Sequence, residues 1–191
     1  MCGQFAILGS LKAVKEYYEF LKSGDFSFED DYFDYFDEKL IQLPNLSITP
    51  KKYLPIITYI KDKVSIKSAR WGLVPFWAKD DKQSFKTINA RIETIHEKPS
   101  FKYAYQQRRC LIPMSGFYEK SPVKKEYYFP NENDKLQSFA GLYEIWGSDK
   151  LITFTVITCP ADDRVINVHP RMPIVLNELE AINWIREGKV G

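Results

Sequence analysis

The sequence predicts an α+β fold: a single domain built on a curved, mostly antiparallel β-sheet or barrel-like core, flanked by a few helices. Short runs rich in Ile, Val, Tyr, Phe and Thr recur along the chain and are interrupted by Pro, Gly, Asn and Asp, which is typical of antiparallel strands. With 191 residues, of which 45% are hydrophobic and 27% charged, the chain is long enough to bury one ordinary core.

The amino-terminal part of the chain predicts one helix followed by an insertion. Apolar residues recur at helical spacing over residues 10–22, with Ser10 as the N-cap and Gly24 just beyond the last turn. Residues 25–39 combine seven acidic side chains with several aromatic rings, which is too much charge for a core element. We therefore expect an acidic and aromatic surface insertion there, within one domain that spans residues 1–191.

Six longer runs predict the sheet, and two later segments predict helices. The strands are expected at 53–60, 64–71, 109–113, 126–129, 138–146 and 151–158. A helix between strands is expected at 99–108. Asn177 and Glu180 have the spacing of a capping box, so they predict a last helix that ends at Gly188.

The charge of the chain is unevenly distributed. The net charge is only +2, but seven of the acidic residues lie in the expected insertion. Between Lys67 and Arg109 there are ten Lys or Arg residues and four acidic ones. Cations of this density favour phosphates, as in nucleic-acid binding. A solvated basic face without a ligand is the alternative.

Cysteine usage and hydropathy bound the setting of the protein. Cys2, Cys110 and Cys159 are odd in number and have neither paired nor metal-ligand spacing, so we expect no disulfide framework, no metal site and no cofactor. No signal-like segment opens the chain, and no apolar run approaches the roughly 18 residues that span a bilayer. A monomer in the reducing cytoplasm, without membrane contact, is expected.

Three polar clusters stand in otherwise apolar surroundings and are candidate site walls. Glu119 follows aromatic residues, whose contact would desolvate its carboxyl group, raise its pKa and suit it to proton donation; an ordinary glutamate at a strand end is the alternative. His169 is either a catalyst or a hydrogen-bonded structural histidine. Asn89 offers an amide that orients a nucleophile, and the guanidinium of Arg91, like that of Arg171, suits a phosphate.

Residues 70–80 are unusually rich in aromatic rings between cations. Phe76 and Trp77 lie close to Lys79, so the rings are placed to stack nucleobases while the charge follows a phosphate backbone. The alternative is a buried aromatic corner, to which we assign Trp71.

The opening Met1, Cys2, Gly3 carries a specific chemical possibility. Removal of Met1 would give Cys2 a thiol and a free α-amine on adjacent carbons, and both groups titrate near neutrality. A small apolar residue near the amino terminus, without chemistry, is the alternative.

Six segments, taken in order, resemble the SRAP (SOS-response-associated peptidase) family, which includes proteins that shield abasic sites in DNA. The matching segments are MCGQFA at 1–6, RWGLVPFWAKD at 70–80, INARIET at 88–94, RRCLIPMSGFYE at 108–119, GLYEIW at 141–146, and FTVITCPADD through VHPRMPIVL at 154–176. They span nearly the whole chain.

This resemblance implies a function and a set of residues. Cys2 would condense with the ring-opened aldehyde of an abasic site in single-stranded DNA and form a thiazolidine crosslink. The implied catalytic residues are Cys2, Asn89, Glu119 and His169. The implied DNA-binding residues are Arg91, Trp77, Phe76, Arg171 and Lys79. The family name also implies an enzyme of the peptidase or lyase class, whose Cys2 could release its own Met1. In a bacterium, the resemblance implies a cytoplasmic protein associated with the nucleoid.

Two departures from the family pattern affect this interpretation. Gln4 stands where the family commonly has Arg, so a phosphate contact is missing or is supplied by Lys51, Lys52 or another cation. Lys120 stands where a tryptophan usually follows the glutamate, and an ammonium group there would lower the pKa of Glu119.

Two other function classes stay open. One is an amidohydrolase with Cys2 as its amino-terminal nucleophile, although the chain has only nine glycines and no glycine cluster for an oxyanion site. The other is a non-covalent reader of single-stranded or modified DNA.

Overall fold

The computed structural model describes residues 3–24, 26–28, 37–131 and 135–189. Its strands are β1 Gln4–Ile7, β2 Ser27–Phe28, β3 Asn45–Ile48, β4 Tyr53–Ile60, β5 Lys63–Trp71, β6 Asn89–Arg91, β7 Arg109–Met114, β8 Gly116–Lys120, β9 Glu126–Pro130, β10 Gln137–Trp146, β11 Leu151–Pro160, β12 Arg171–Pro173 and β13 Val175–Leu176. Its α-helices are α1 Leu11–Tyr17, α2 Lys102–Gln107 and α3 Glu178–Glu187. Short 3₁₀ helices cover Tyr18–Gly24, Glu38–Leu40 and Ser84–Lys86.

Five of the strands form a closed barrel. The antiparallel pairs β5–β4, β4–β7, β7–β10 and β10–β11 build a curved sheet. A parallel pairing of β11 with β5, with Thr153 opposite Arg70 and Phe154 opposite Trp71, joins its two ends. Closure removes exposed strand edges. This arrangement confirms the predicted α+β fold with a mostly antiparallel, barrel-like core.

A second sheet brings the amino terminus of the chain to β8. It has the order β3-β1-β8-β9, and all of its pairs are antiparallel. Gln4 lies opposite Tyr118, one residue before Glu119. Gly116 allows β9 to approach closely, because a Cβ atom there would lie 2.5 Å from the hydroxyl oxygen of Tyr128.

The two sheets share an aromatic core. The Trp71 ring is fully buried, with its centroid 5.0 Å from that of Phe5 and 6.2 Å from that of Phe154. Its indole N–H donates to the carbonyl oxygen of Ile88 at 2.9 Å. The assignment of Trp71 to a buried aromatic corner is therefore confirmed.

The helices follow the predicted caps with shifted boundaries. The Ser10 side chain accepts a hydrogen bond from the backbone of α1. The α-helix ends at Tyr17, and a 3₁₀ helix continues the chain to Gly24. The capping box that opens α3 is present, and Gly188 ends the helix with a φ of +76°. Helix α2, Lys102–Gln107, is shorter than the predicted segment 99–108 and begins three residues later. In the described part of the chain, no helix is long and apolar enough to cross a membrane.

The expected insertion at 25–39 lies largely outside the described residues, which omit 25 and 29–36. Before that gap, Phe26 is buried, with the guanidinium of Arg186 4.4 Å from its ring centroid. After the gap, the backbone N–H of Asp37 donates to the buried Ser68 hydroxyl at 3.0 Å. Both flanks of the segment are therefore attached to the barrel; Phe26 is a core residue, and the surface position of the rest stays a prediction.

Candidate functional site

One open pocket of about 320 Å³ collects residues that are distant in sequence. Gly3 and Gln4 reach it from the start of the chain, Glu119 from β8, and His169 from the segment before β12. Tyr118, Lys120 and Glu126 complete its lining. Cys2, with Met1, lies outside the described residues. The structure therefore brings Glu119 and His169 together beside Gly3.

Glu119 is the buried acid of this pocket, with 3% of its surface exposed. Its burial raises the pKa of the carboxyl group, and the positive charge of His169 acts in the opposite direction without cancelling the effect. A carboxyl group with a raised pKa keeps its proton at a higher pH than an ordinary glutamate. The group is therefore better suited to donate a proton than an ordinary glutamate is.

The expectation that the Lys120 ammonium would lower the pKa of Glu119 is not met: burial raises this pKa, and the lowering that comes from Lys120 is due to its backbone. Successive side chains of a strand point to opposite faces, so Lys120 and Glu119 diverge. The Lys120 Nζ is largely exposed and lies 3.5 Å from the Glu126 Oε2. Lys120 affects Glu119 through a backbone hydrogen bond instead.

The backbone of Arg171 holds the His169 ring. Nδ1 lies 2.9 Å from the Arg171 carbonyl oxygen and 3.0 Å from the Arg171 amide nitrogen. A protonated Nδ1 donates to the carbonyl, whereas an unprotonated Nδ1 accepts from the amide. The ring therefore keeps its position in either tautomer, and chemistry at this residue falls to Nε2.

Asn89 and Arg91 lie on the same side of β6, which pairs in parallel with β11. Asn89 lies opposite Val156, and its Oδ1 is buried. Arg91 lies opposite Thr158 and is exposed. The structure thus gives Asn89 a buried amide oxygen and Arg91 an accessible guanidinium, on a strand that β11 separates from β12, the strand of Arg171.

Arg171 is already bound within the protein. Its Nη1 and Nη2 donate to the two carboxylate oxygens of Glu93 at 2.9 and 3.0 Å, and Nη2 also donates to the Thr158 carbonyl oxygen at 2.7 Å. Only 14% of the Arg171 side chain is exposed. Unlike Arg91, it is therefore not an open cation on the surface.

The aromatic residues lie in two other hollows. Trp77 and Phe76 are about half exposed, at 54% and 53%. Trp77 lines both a hollow of about 410 Å³ and one of about 260 Å³ that also contains Phe76 and Tyr103. The larger hollow has three lysines: Lys79, Lys86 and Lys98. Neither hollow shares a lining residue with the Glu119 pocket among the residues described.

Gln4 and the lysines that could supply its missing phosphate contact, Lys51 and Lys52, line different pockets. The Gln4 side-chain amide donates to the Ser47 hydroxyl at 3.1 Å. Lys51 and Lys52 line a different pocket, of about 210 Å³.

Sequence reasoning did not single out Glu93, Tyr103 or Lys98. Glu93 stands two residues after Arg91 in the INARIET segment, so the alternation of an extended chain is a signal that could have found it. Tyr103 and Lys98 gave no comparable signal, because their place beside Trp77 depends on the tertiary fold.

Comparisons with known proteins place these observations in a family. A family model described as SOS response associated peptidase (SRAP) matches residues 1–190. The "Abasic site processing protein YoqW" of Bacillus subtilis is 32% identical over 197 residues, which cover 97% of this chain and 80% of the relative. The "Abasic site processing protein YMR114C" of Saccharomyces cerevisiae is 36% identical over 135 residues, or 68% of this chain and 36% of that one.

The fold is matched by a solved structure as well. An X-ray crystal structure of a protein from Bacteroides thetaiotaomicron aligns with a TM-score of 0.76 and 25% identity, covering 97% of this chain and 81% of the other. With the family model covering nearly every residue, this chain belongs to the SOS response associated peptidase (SRAP) family.

Proposed function

We propose that this protein binds single-stranded DNA and crosslinks Cys2, after removal of Met1, to the ring-opened aldehyde of an abasic site, which shields the lesion during the DNA damage response. The observation that carries the proposal is the meeting of Gly3, Glu119 and His169 in one pocket. Gly3, which follows Cys2 directly in the sequence, is part of the pocket lining. The names of the relatives, abasic site processing proteins, support the same substrate.

The two nucleophiles of an amino-terminal cysteine account for a stable product. The α-amine adds to the aldehyde carbon, and loss of water from the adduct gives an imine. The thiol then adds to the imine carbon, its proton passes to nitrogen, and a five-membered thiazolidine ring closes. A lysine has no neighbouring thiol to close a ring, so its imine stays reactive and tends to proceed to strand scission.

Glu119 and His169 supply the proton transfers in this proposal. The raised pKa of Glu119 keeps a proton available for the oxygen that leaves as water when the imine forms. His169 acts near the sugar oxygen through Nε2, while the Arg171 backbone holds Nδ1. The Asn89 amide orients Cys2. Each step uses side chains and the α-amine, without a metal or cofactor.

The DNA strand would follow the exposed cations and rings. Arg91 binds a phosphate beside the lesion, and Trp77 and Phe76 stack on bases, at about 1–3 kcal/mol for each stacked base. Lys79 contributes charge from the larger hollow. These contacts also support the second candidate, a reader that binds DNA without covalent chemistry, because none of them uses Cys2.

The same thiol accounts for the peptidase in the family description. Attack of the Cys2 thiol on the Met1 carbonyl carbon would break the peptide bond, free the α-amine of Cys2 and leave Met1 as a thioester on sulfur; water would then hydrolyse the thioester, releasing methionine and restoring the thiol. We propose this self-processing step, and no cleavage of other proteins, for a monomer that acts on DNA in the cytoplasm or nucleoid.

The crosslink is tested with a single-stranded oligonucleotide that contains one uracil, with and without prior excision of the base. We expect a protein–DNA band that resists denaturant, requires excision and disappears in Cys2→Ala. Cys159→Ala, which removes a half-buried thiol elsewhere, should keep the band. Reversible binding that is indifferent to Cys2 would select the non-covalent reader, and hydrolysis of glutamine would select the amidohydrolase.

Glu119→Gln separates chemistry from binding. Because the amide cannot donate an acidic proton, we expect crosslinking to slow by about 100-fold or more while the affinity for single-stranded DNA changes less than twofold. The rate comes from quenched time points on denaturing gels. Glu126→Gln, at the rim of the same pocket, is the matched control and should react at nearly the normal rate. Equal loss of rate and affinity in Glu119→Gln would mean a structural role.

Glu119 should also make stability depend on pH. Its folded-state pKa lies above the ordinary 4.5, so the folded protein binds this proton more tightly than the unfolded chain, and stability falls as the pH rises through that interval. Glu119→Gln should therefore melt at a higher temperature than the wild type at pH 7, with the difference shrinking as the pH falls towards 4.5. Melting curves across this range check the trend. A constant difference would refute it.

Arg91→Ala tests the phosphate contact. We expect weaker binding to single strands of any sequence, with the slope of log K against log salt reduced by about 0.7 for one lost phosphate contact. Lys12→Ala, which removes an exposed cation from α1, is the charge-matched control. An unchanged slope in Arg91→Ala would exclude this residue from the phosphate contacts.

A further inference from the structure

Glu93 interacts with both arginines of the candidate DNA-binding face. Its two carboxylate oxygens accept from Nη1 and Nη2 of Arg171, which is the geometry in which a guanidinium would otherwise bind a phosphate. The positive charge of Arg91 also acts on the same carboxylate. One acid therefore faces both cations.

The strands fix this arrangement. β6 and β12 lie on opposite edges of β11, with Arg91 and Pro173 both opposite Thr158. Glu93 follows β6, Arg171 opens β12, and Thr158 binds the Arg171 guanidinium from the strand between them. Arg171 is thereby held by three hydrogen bonds to Glu93 and the Thr158 carbonyl, and it is largely shielded from solvent.

We propose that Glu93 is a specificity-determining residue: it occupies the phosphate-binding edge of Arg171 and keeps the affinity for undamaged single-stranded DNA low. This inference rests on the proposed function. A phosphate that approaches Arg91 meets the negative charge of Glu93, and a phosphate that approaches Arg171 must displace a bidentate carboxylate. The Arg91 side chain is exposed, whereas the Arg171 guanidinium is held in the ion pair with Glu93. Retention on DNA then depends on the chemistry in the Glu119 pocket.

The ion pair has a second consequence for the site. The backbone amide and carbonyl of Arg171 hold the His169 ring. Glu93 binds the side chain of the same arginine, so it can affect His169 through Arg171. A purely structural role would use only this connection. Such a role predicts weaker or unchanged DNA binding without Glu93, whereas the proposed role predicts tighter binding.

The test compares Glu93→Gln with the wild type on undamaged single-stranded DNA. The glutamine keeps one oxygen that can accept from Arg171 but removes the charge, so an edge of the guanidinium becomes available to a phosphate. We expect binding to tighten by about five- to tenfold at 50 mM salt, and the slope of log K against log salt to steepen by about 0.7. The excess of binding to abasic over undamaged strands should shrink accordingly.

Two further variants make the result specific. Glu93→Asp keeps the charge and should bind undamaged DNA within about twofold of the wild type. Glu16→Gln makes the same change in net charge on α1, at a glutamate paired with Lys12, and should leave the slope unchanged. Melting curves verify that each variant folds.

The outcomes separate this inference from the function on which it rests. A Glu93→Gln protein that binds undamaged DNA with the wild-type affinity and slope, or more weakly, overturns the role of Glu93 and leaves the crosslinking proposal intact. Tightening that Glu16→Gln reproduces would assign the effect to net charge and also overturn it. Failure of the wild type to bind single-stranded DNA at all overturns both.

Discussion

The antiparallel pairing of β1 with β8 is the constraint on which the candidate site depends. The start of a chain usually frays unless it is tied into the fold. Here Phe5, Ala6 and Ile7 are fully buried, and the register that places Gln4 opposite Tyr118 carries the chain to Glu119. The burial that stabilises the core therefore also places Gly3 and Gln4 at the pocket.

The sequence predicted the long elements well because their signals are local. The strands at 53–60 and 138–146 have sustained apolar patterns, and the caps at Ser10 and Asn177 depend on neighbouring backbone groups. Short strands such as β6 were not predicted, because three residues carry no period and their partner lies more than 60 positions along the chain. The parallel pair that closes the barrel is equally non-local.

The individual residues of the candidate site were predictable from the sequence, but their spatial arrangement was not. Composition and the family resemblance singled out Glu119 and His169, yet nothing local indicates that residues 50 positions apart share a pocket. The expected effect of the Lys120 ammonium on Glu119 could have been rejected from the sequence, since neighbouring side chains of a strand point to opposite faces. The ion pair of Arg171 with Glu93 required the tertiary structure, because β11 lies between their strands.

On the proposed function, the pairing of a cation with an acid on the candidate DNA-binding face is explained by the excess of undamaged DNA over lesions. A protein that bound every DNA phosphate tightly would be saturated by undamaged strands, because electrostatic affinity does not depend on the base. Covalent capture needs only enough residence for the chemistry to occur, so selectivity improves when attraction to the backbone is limited. On this proposal the exposed Arg91 supplies the attraction to phosphates, and the carboxylate of Glu93, paired with Arg171, limits the attraction there. Discrimination is then left to the step that only an aldehyde can undergo.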